Sequence, residues 1–280
     1  MKLQKQGFDW PLDQYRTIVQ SATLRSRFSA QPLKSSPKYR NGEALPFSGF
    51  TLMSTPGALN LHCPSLTHEL EALQSYFVEN FKSYLIAVPP QHFHVTGADL
   101  ISGEVFTDQI ERQPFDKYKH HLIGALEATL SPQSASTSYT HSNRLWKLQG
   151  FSLFESALVA LFTPLTASTY ASLVQTRAQL YTSKSLIQLG VQPPRPLMLH
   201  ITLAYFTEHL ARDLKAQDRI SEALSVYQRR APLIGPTHSS SEVAKPTEHK
   251  LALPLSALSL YFFTDMQSYF PALPSVCFST

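Results

Sequence analysis

No apolar run in these 280 residues approaches the ~20 needed to cross a bilayer, so the sequence offers no membrane span. The opening stretch MKLQKQGFDWPLDQYR has no hydrophobic signal segment, and a secreted protein is not expected. Cysteine is nearly absent. Cys63 and Cys277 stand neither in a CxxC pair nor at metal-ligand spacing, which excludes a disulfide framework and a thiolate metal site. Reduced thiols without a leader lead us to expect a cytoplasmic protein. Charge is also sparse, 16% of residues against 43% apolar, the balance of a globular chain. At this length the core belongs to one large domain or two closely joined lobes.

The small net charge of +4 is unevenly placed. Residues 1–40 hold eight Lys and Arg against Asp9 and Asp13, leaving sixteen basic and eighteen acidic residues for the rest. A basic N-terminal arm of this kind has the charge to make a weak contact with RNA. A solvated amphipathic helix capping the core is the favoured reading. The body has no charge signature of strong nucleic-acid binding.

Periodicity predicts helices over 12–30, 68–84, 108–130 (one or two), 168–189 and 207–229. Strands are expected at 50–53, 92–98, 148–162, 197–205 and 256–263, with 35–49 turn-rich. The Ser/Thr-rich stretch 131–144 is the best candidate for a connection between halves. Each half then reads strand, Thr-Pro, helix, histidine strand, helix. Pro56 precedes His94 by 38 residues and Pro164 precedes His200 by 36, an internal repeat at the level of fold.

The two histidine strands carry His94-Val95-Thr96 and His200-Ile201-Thr202. Residues i and i+2 of a strand share a sheet face, so each imidazole has a hydroxyl beside it while Val95 and Ile201 point into the apolar layer. A third such string, His238-Ser239-Ser240, lies in a loop of Ser, Thr and Pro and reads as incidental. With the strands side by side about a pseudo-twofold axis, both pairs converge on one cleft. His62, His68, His120, His121, His141, His209 and His249 fall in helices or loops and read as surface residues. Tyr205, Tyr261 and Arg195 are left outside the site, since packing or solvation accounts for them.

At these strings the chain resembles the 2H phosphoesterase superfamily, which includes 2′-5′ RNA ligase-like proteins and cyclic nucleotide phosphodiesterases. The likeness covers roughly residues 37–270. His200-Ile201-Thr202-Leu203 matches well, whereas Gly97 follows the first motif where an apolar residue is usual. KYRNGEALPFSGFT (38–51) and LSLYFFTDMQSYFP (258–271) resemble segments of an uncharacterised branch. The resemblance implies an α+β, bilobal pseudo-twofold fold, with antiparallel sheets lining a central groove and helices outside. Residues 1–36 would then be a basic helical extension and 37–280 a single bilobal domain, with halves at about 37–130 and 148–280. It implies His94 and His200 as the catalytic pair and Thr96 and Thr202 as the phosphate-holding hydroxyls. The substrate would be a small nucleotide or RNA end with a 2′,3′-cyclic or 2′-linked phosphodiester.

Histidine titrates near neutrality, so a facing pair holds both a base for water and an acid for the departing ribose oxygen. No metal or other cofactor is expected. His92-Phe93-His94 suggests a histidine triad, but position 96 is Thr, and no further ligands stand at useful spacing. The alternative is a non-catalytic nucleotide- or RNA-binding protein that retains the groove. A structural domain whose histidine strings are accidental is the third reading.

Overall fold

The computed structural model describes residues 8–54, 63–130, 145–192, 195–230, 252–254, 257–272 and 278–279. The connection at 131–144, the loop carrying His238, and Cys277 lie outside the described residues. Helix α1 (Leu12–Leu24) leads into β1 (Tyr39–Arg40), β2 (Glu43–Ala44) and β3 (Gly49–Met53). Next come α2 (Pro64–Asn80), β4 (Leu85–Ala87), a 3₁₀ turn at Pro90–His92, β5 (Thr96–Ser102), α3 (Gly103–Arg112) and α4 (Phe115–Leu130). The second half has β6 (Leu145–Leu153), β7 (Ala157–Pro164), α5 (Ala167–Thr182), α6 (Lys184–Gln188), β8 (His200–Phe206), α7 (Glu208–Arg212) and α8 (Leu214–Arg230). It closes with β9 (Ala252–Pro254), β10 (Ala257–Phe263), β11 (Tyr269–Pro271) and β12 (Phe278–Ser279).

The fold is α+β with antiparallel sheets. One sheet runs β11-β10-β3-β5, with β12 also on β10; the other runs β4-β8-β7-β6-β9. The strand before each long helix, β3 or β7, pairs with the strand of the corresponding motif, β5 or β8. β3 and most of β7 are buried along their length, as central strands covered on both faces must be.

Several boundaries differ from the sequence reading, each for a local reason. The span 148–162 is a hairpin, not one strand: Phe154 N–H bonds Ala157 C=O across a Glu155-Ser156 turn that lacks the usual Gly or Asn. Pro114 divides 108–130 into two helices, because it cannot donate a backbone bond. The helical spans 168–189 and 207–229 each break once, at Ser183 and Asp213. α1 stops at Leu24, where Ser26 takes a positive φ of 55° and Arg27 bridges to Leu153. The strand expected at 92–98 starts only at Thr96, because Pro89 and Pro90 fix a 3₁₀ turn ahead of it. His94 therefore sits in the extended link entering β5.

α1 buries Tyr15, Val19 and Ala22 in the same core as both sheets. Tyr15 donates its hydroxyl to Phe162 C=O at 2.6 Å. Gly150 of β6, at φ +147°, makes room for Thr23 of α1, whose methyl a Cβ there would overlap. Three of the basic side chains of this segment contact the body. Arg16 donates to Pro164 C=O, Arg27 to Ser221 Oγ and Gln217 C=O, and Lys34 pairs with Glu155.

Candidate functional site

The two motifs do not lie on neighbouring strands. β5 is the edge of one sheet, whereas β8 lies between β4 and β7 of the other. The sheets nonetheless bring His94, Thr96, His200 and Thr202 to the lining of one cavity of about 450 Å³, a size suited to a small organic ligand. His68, His120, His121 and His209 are exposed on helices, away from this cavity.

Both motif strands bulge at the residue after the threonine. Along β3–β5 the pairing slips between Leu52 and Met53, leaving Gly97 as the extra residue between Thr96 and Ala98. Along β7–β8 it slips between Leu158 and Val159, leaving Leu203 between Thr202 and Ala204. A bulge shifts the in–out alternation by one position. The residues three beyond each threonine, Asp99 and Tyr205, are thereby turned into the cavity. Strict alternation alone would put them on the opposite face; Tyr205, read as a packing residue, does pack against the core and Tyr39 and also lines the cavity, while Asp99 escaped notice. Gly97 has a packing reason of its own: a Cβ there would overlap Leu258.

The imidazoles are held alike. Nδ1 of His94 donates to His92 C=O at 2.7 Å, and Nδ1 of His200 to Met198 C=O at 2.6 Å. A carbonyl only accepts, so each neutral ring carries its proton on Nδ1 and keeps the Nε2 lone pair. His94 also lies against the Tyr269 ring at 4.8 Å, and His200 against Phe154 at 4.9 Å. Burial pulls the His94 pKa down to about 4. The charges of His200 and Lys38 push the same way, while the His92 carbonyl and Asp99 oppose. Burial likewise lowers His200, with Lys38 adding and the Met198 carbonyl and Asp99 opposing.

Lys38, which the sequence reading left out of the site, lines the cavity with its Nζ 4.9 Å from the Phe47 ring centre and 5.9 Å from that of Tyr205. The aromatic wall continues through Tyr269 and Phe263. Tyr261 is instead buried in β10 between β3 and β11, and Arg195 is exposed; neither lines the cavity. Among the described residues no three His, Cys, Asp or Glu side chains gather where they could share a cation.

Behind the cavity, one buried ion pair ties both motif segments together. Arg177 of α5 and Asp9 are 5% and 2% exposed and meet at 2.8 Å. Arg177 also donates to Gly97 C=O and Arg195 C=O, and Asp9 accepts from Leu197 N–H. Tyr181 donates to Asp99 C=O. The backbone on either side of the site is thus pinned to the chain's N-terminal segment.

No family model matches the chain, and no curated protein matches it. A solved structure of a conserved protein of unknown function from Agrobacterium tumefaciens is similar, with a TM-score of 0.51 and 15% identity. The match covers 90% of this chain and 95% of that one. At that identity the likeness is one of fold alone. Among the described residues no helix is long and apolar enough to cross a membrane.

Proposed function

We propose that this protein is a metal-independent phosphoesterase of the 2H type, opening a 2′,3′-cyclic or cleaving a 2′-linked phosphodiester of a nucleotide or RNA end. One observation carries the reading: two His-x-Thr segments, with the same bulge and the same Nδ1-to-carbonyl bond, face a single cavity. In this reading the strand trios β10-β3-β5 and β6-β7-β8 would correspond to the two halves of a pseudo-twofold, bilobal arrangement. Cytoplasmic residence belongs to the same proposal.

In the reaction one imidazole takes a proton from water as its oxygen attacks phosphorus. The bond from phosphorus to one ribose oxygen breaks, and that oxygen receives a proton from the second imidazole. One water is consumed and a phosphomonoester is formed. Thr96 and Thr202 donate to the non-bridging oxygens, where charge accumulates in the transition state. The two rings disfavour each other's protons, so the working state is one imidazolium beside one neutral imidazole, and the acid and base roles belong to the pair.

A substrate phosphate is needed to stabilise the acid's proton, since burial favours the neutral form of both rings. This neutrality also favours the second reading, a protein that binds a nucleotide or RNA end without turning it over. An assay in EDTA separates the two. Its panel holds 2′,3′-cyclic nucleotides, cyclic-ended oligoribonucleotides and ADP-ribose cyclic phosphate, with His94→Ala and His200→Ala as controls. The proposal expects turnover that falls by about 10²- to 10⁴-fold in each variant. Turnover that survives both substitutions refutes it, and binding without turnover supports the second reading.

A further inference from the structure

Lys38 is an ammonium without a carboxylate partner among the described residues, placed where it faces the chemistry proposed for the site. Its backbone is fixed on both sides. Ser36 bonds to Phe206 C=O through its N–H, Ser36 C=O accepts from Tyr39 N–H, and Lys38 C=O accepts from Leu45 N–H. The β1–β2 hairpin that follows turns at Asn41-Gly42, both with positive φ, a sequence suited to a two-residue turn. The ring of Tyr39 is buried in a small cluster with Phe263 and Met266, separate from the main core. That anchor holds the side chain of Lys38 on the cavity side.

There Lys38 lies half-buried, with its Nζ over the rings of Phe47 and Tyr205. Among the described residues no carboxylate approaches its Nζ within ion-pair distance. Asp99 acts on it only through its field, opposing the burial that lowers the lysine pKa. Aromatic faces attract an ammonium but accept none of its N–H bonds in the way an oxygen does. A charge withdrawn from water without an anion is costly, and the cost is recovered when a ligand brings one.

We infer that Lys38 is the anion receptor of the cavity, holding an oxygen of the ligand's phosphate while the organic part lies against the wall of Phe47, Tyr205 and Tyr269. This rests on the phosphoesterase reading only for which phosphate is held. The ligand class is a phosphate ester with a flat or apolar organic group. Asp99, on the same lining, disfavours further negative charge and selects against polyphosphates.

The test measures binding of inorganic phosphate and of a nucleoside 2′-monophosphate to the full chain by calorimetry, with turnover and Tm recorded in parallel. Lys38→Met keeps the apolar stem between the two rings. It is expected to weaken both ligands by about 10- to 100-fold, the worth of one charge-assisted hydrogen bond, without lowering Tm. Lys38→Arg leaves a cation in place and is expected to retain binding within about threefold, and Asp99→Asn, which removes a negative charge from the lining, to tighten it. Unchanged binding in Lys38→Met overturns the inference, as does a Tm loss shared by the Met and Arg variants, the mark of a packing role alone. Lys38-dependent binding in a protein that turns over no cyclic phosphodiester leaves the inference standing and removes the catalytic reading. Turnover indifferent to Lys38→Met does the reverse.

Discussion

Lowering the pH from 7 to 5 isolates His94. An unfolded histidine with the ordinary value of 6.5 is almost fully protonated at pH 5. In the folded protein, where burial holds the ring at about 4, roughly a tenth of the molecules carry that proton. The unfolded state binds more protons throughout this window, so folding stability falls as pH falls from about 6.5 towards 4. Integrated from pH 7 to 5, the linkage amounts to about 2 kcal/mol, and water reaching the cavity reduces it to about 1–2 kcal/mol. His200 contributes with the same sign. The assay is urea unfolding of the wild type and of His94→Gln at both pH values. Comparing the change with pH, rather than absolute stability, cancels the pH-independent cost of losing the bond to His92. Wild type should lose about 1–2 kcal/mol more than the variant. Equal losses would mean that His94 is not held neutral by burial, and the argument about the proton inventory of the site would fail with it.

The same electrostatics place the optimum of kcat/KM on the acid side of neutrality. Burial lowers both rings below the ordinary histidine value, His94 to about 4, so an optimum above pH 7.5 would mean that the rings are not held neutral by burial. Gly97→Ala should cost about 1–3 kcal/mol by overpacking against Leu258, and Leu258→Ala should partly relieve it in a double-mutant cycle of chemical denaturation. Arg177→Met leaves Asp9 buried without its partner and should cost about 3–5 kcal/mol, measured by the same unfolding method. If Arg177→Met unfolds like wild type, the pair does not brace the two motif segments.

The motif residues were legible because they are local: a histidine and a hydroxyl two apart on a chain too polar and interrupted to be a buried helix. The order of elements was legible too, since α2, α5 and α8 carry stripes at helical spacing and β3, β7 and β10 carry concentrated apolar residues. What the sequence hid was non-local. The bulges at Gly97 and Leu203 exist only because β3 and β7 pair with their neighbours out of register, and no rule of alternation foresees them. Of the two residues that the bulges turn inward, Asp99 was therefore missed and Tyr205 was left outside the site. Lys38 was hidden for a different reason. In the sequence it is one of eight cations in the first forty residues, and charge density there suggested a solvated face. Its position in the cavity follows from the burial of its neighbour Tyr39 and from the ladder around it, so it depends on packing that brings residues 36, 45 and 206 together. The residues proposed to act by chemistry were thus visible as a string, whereas those that set their charge and company arise from register and burial. The two groups have distinct signatures on substitution: changing His94 or His200 should lower turnover by about 10²- to 10⁴-fold, and changing Asp99 or Lys38 should shift anion affinity and the pH at which turnover peaks.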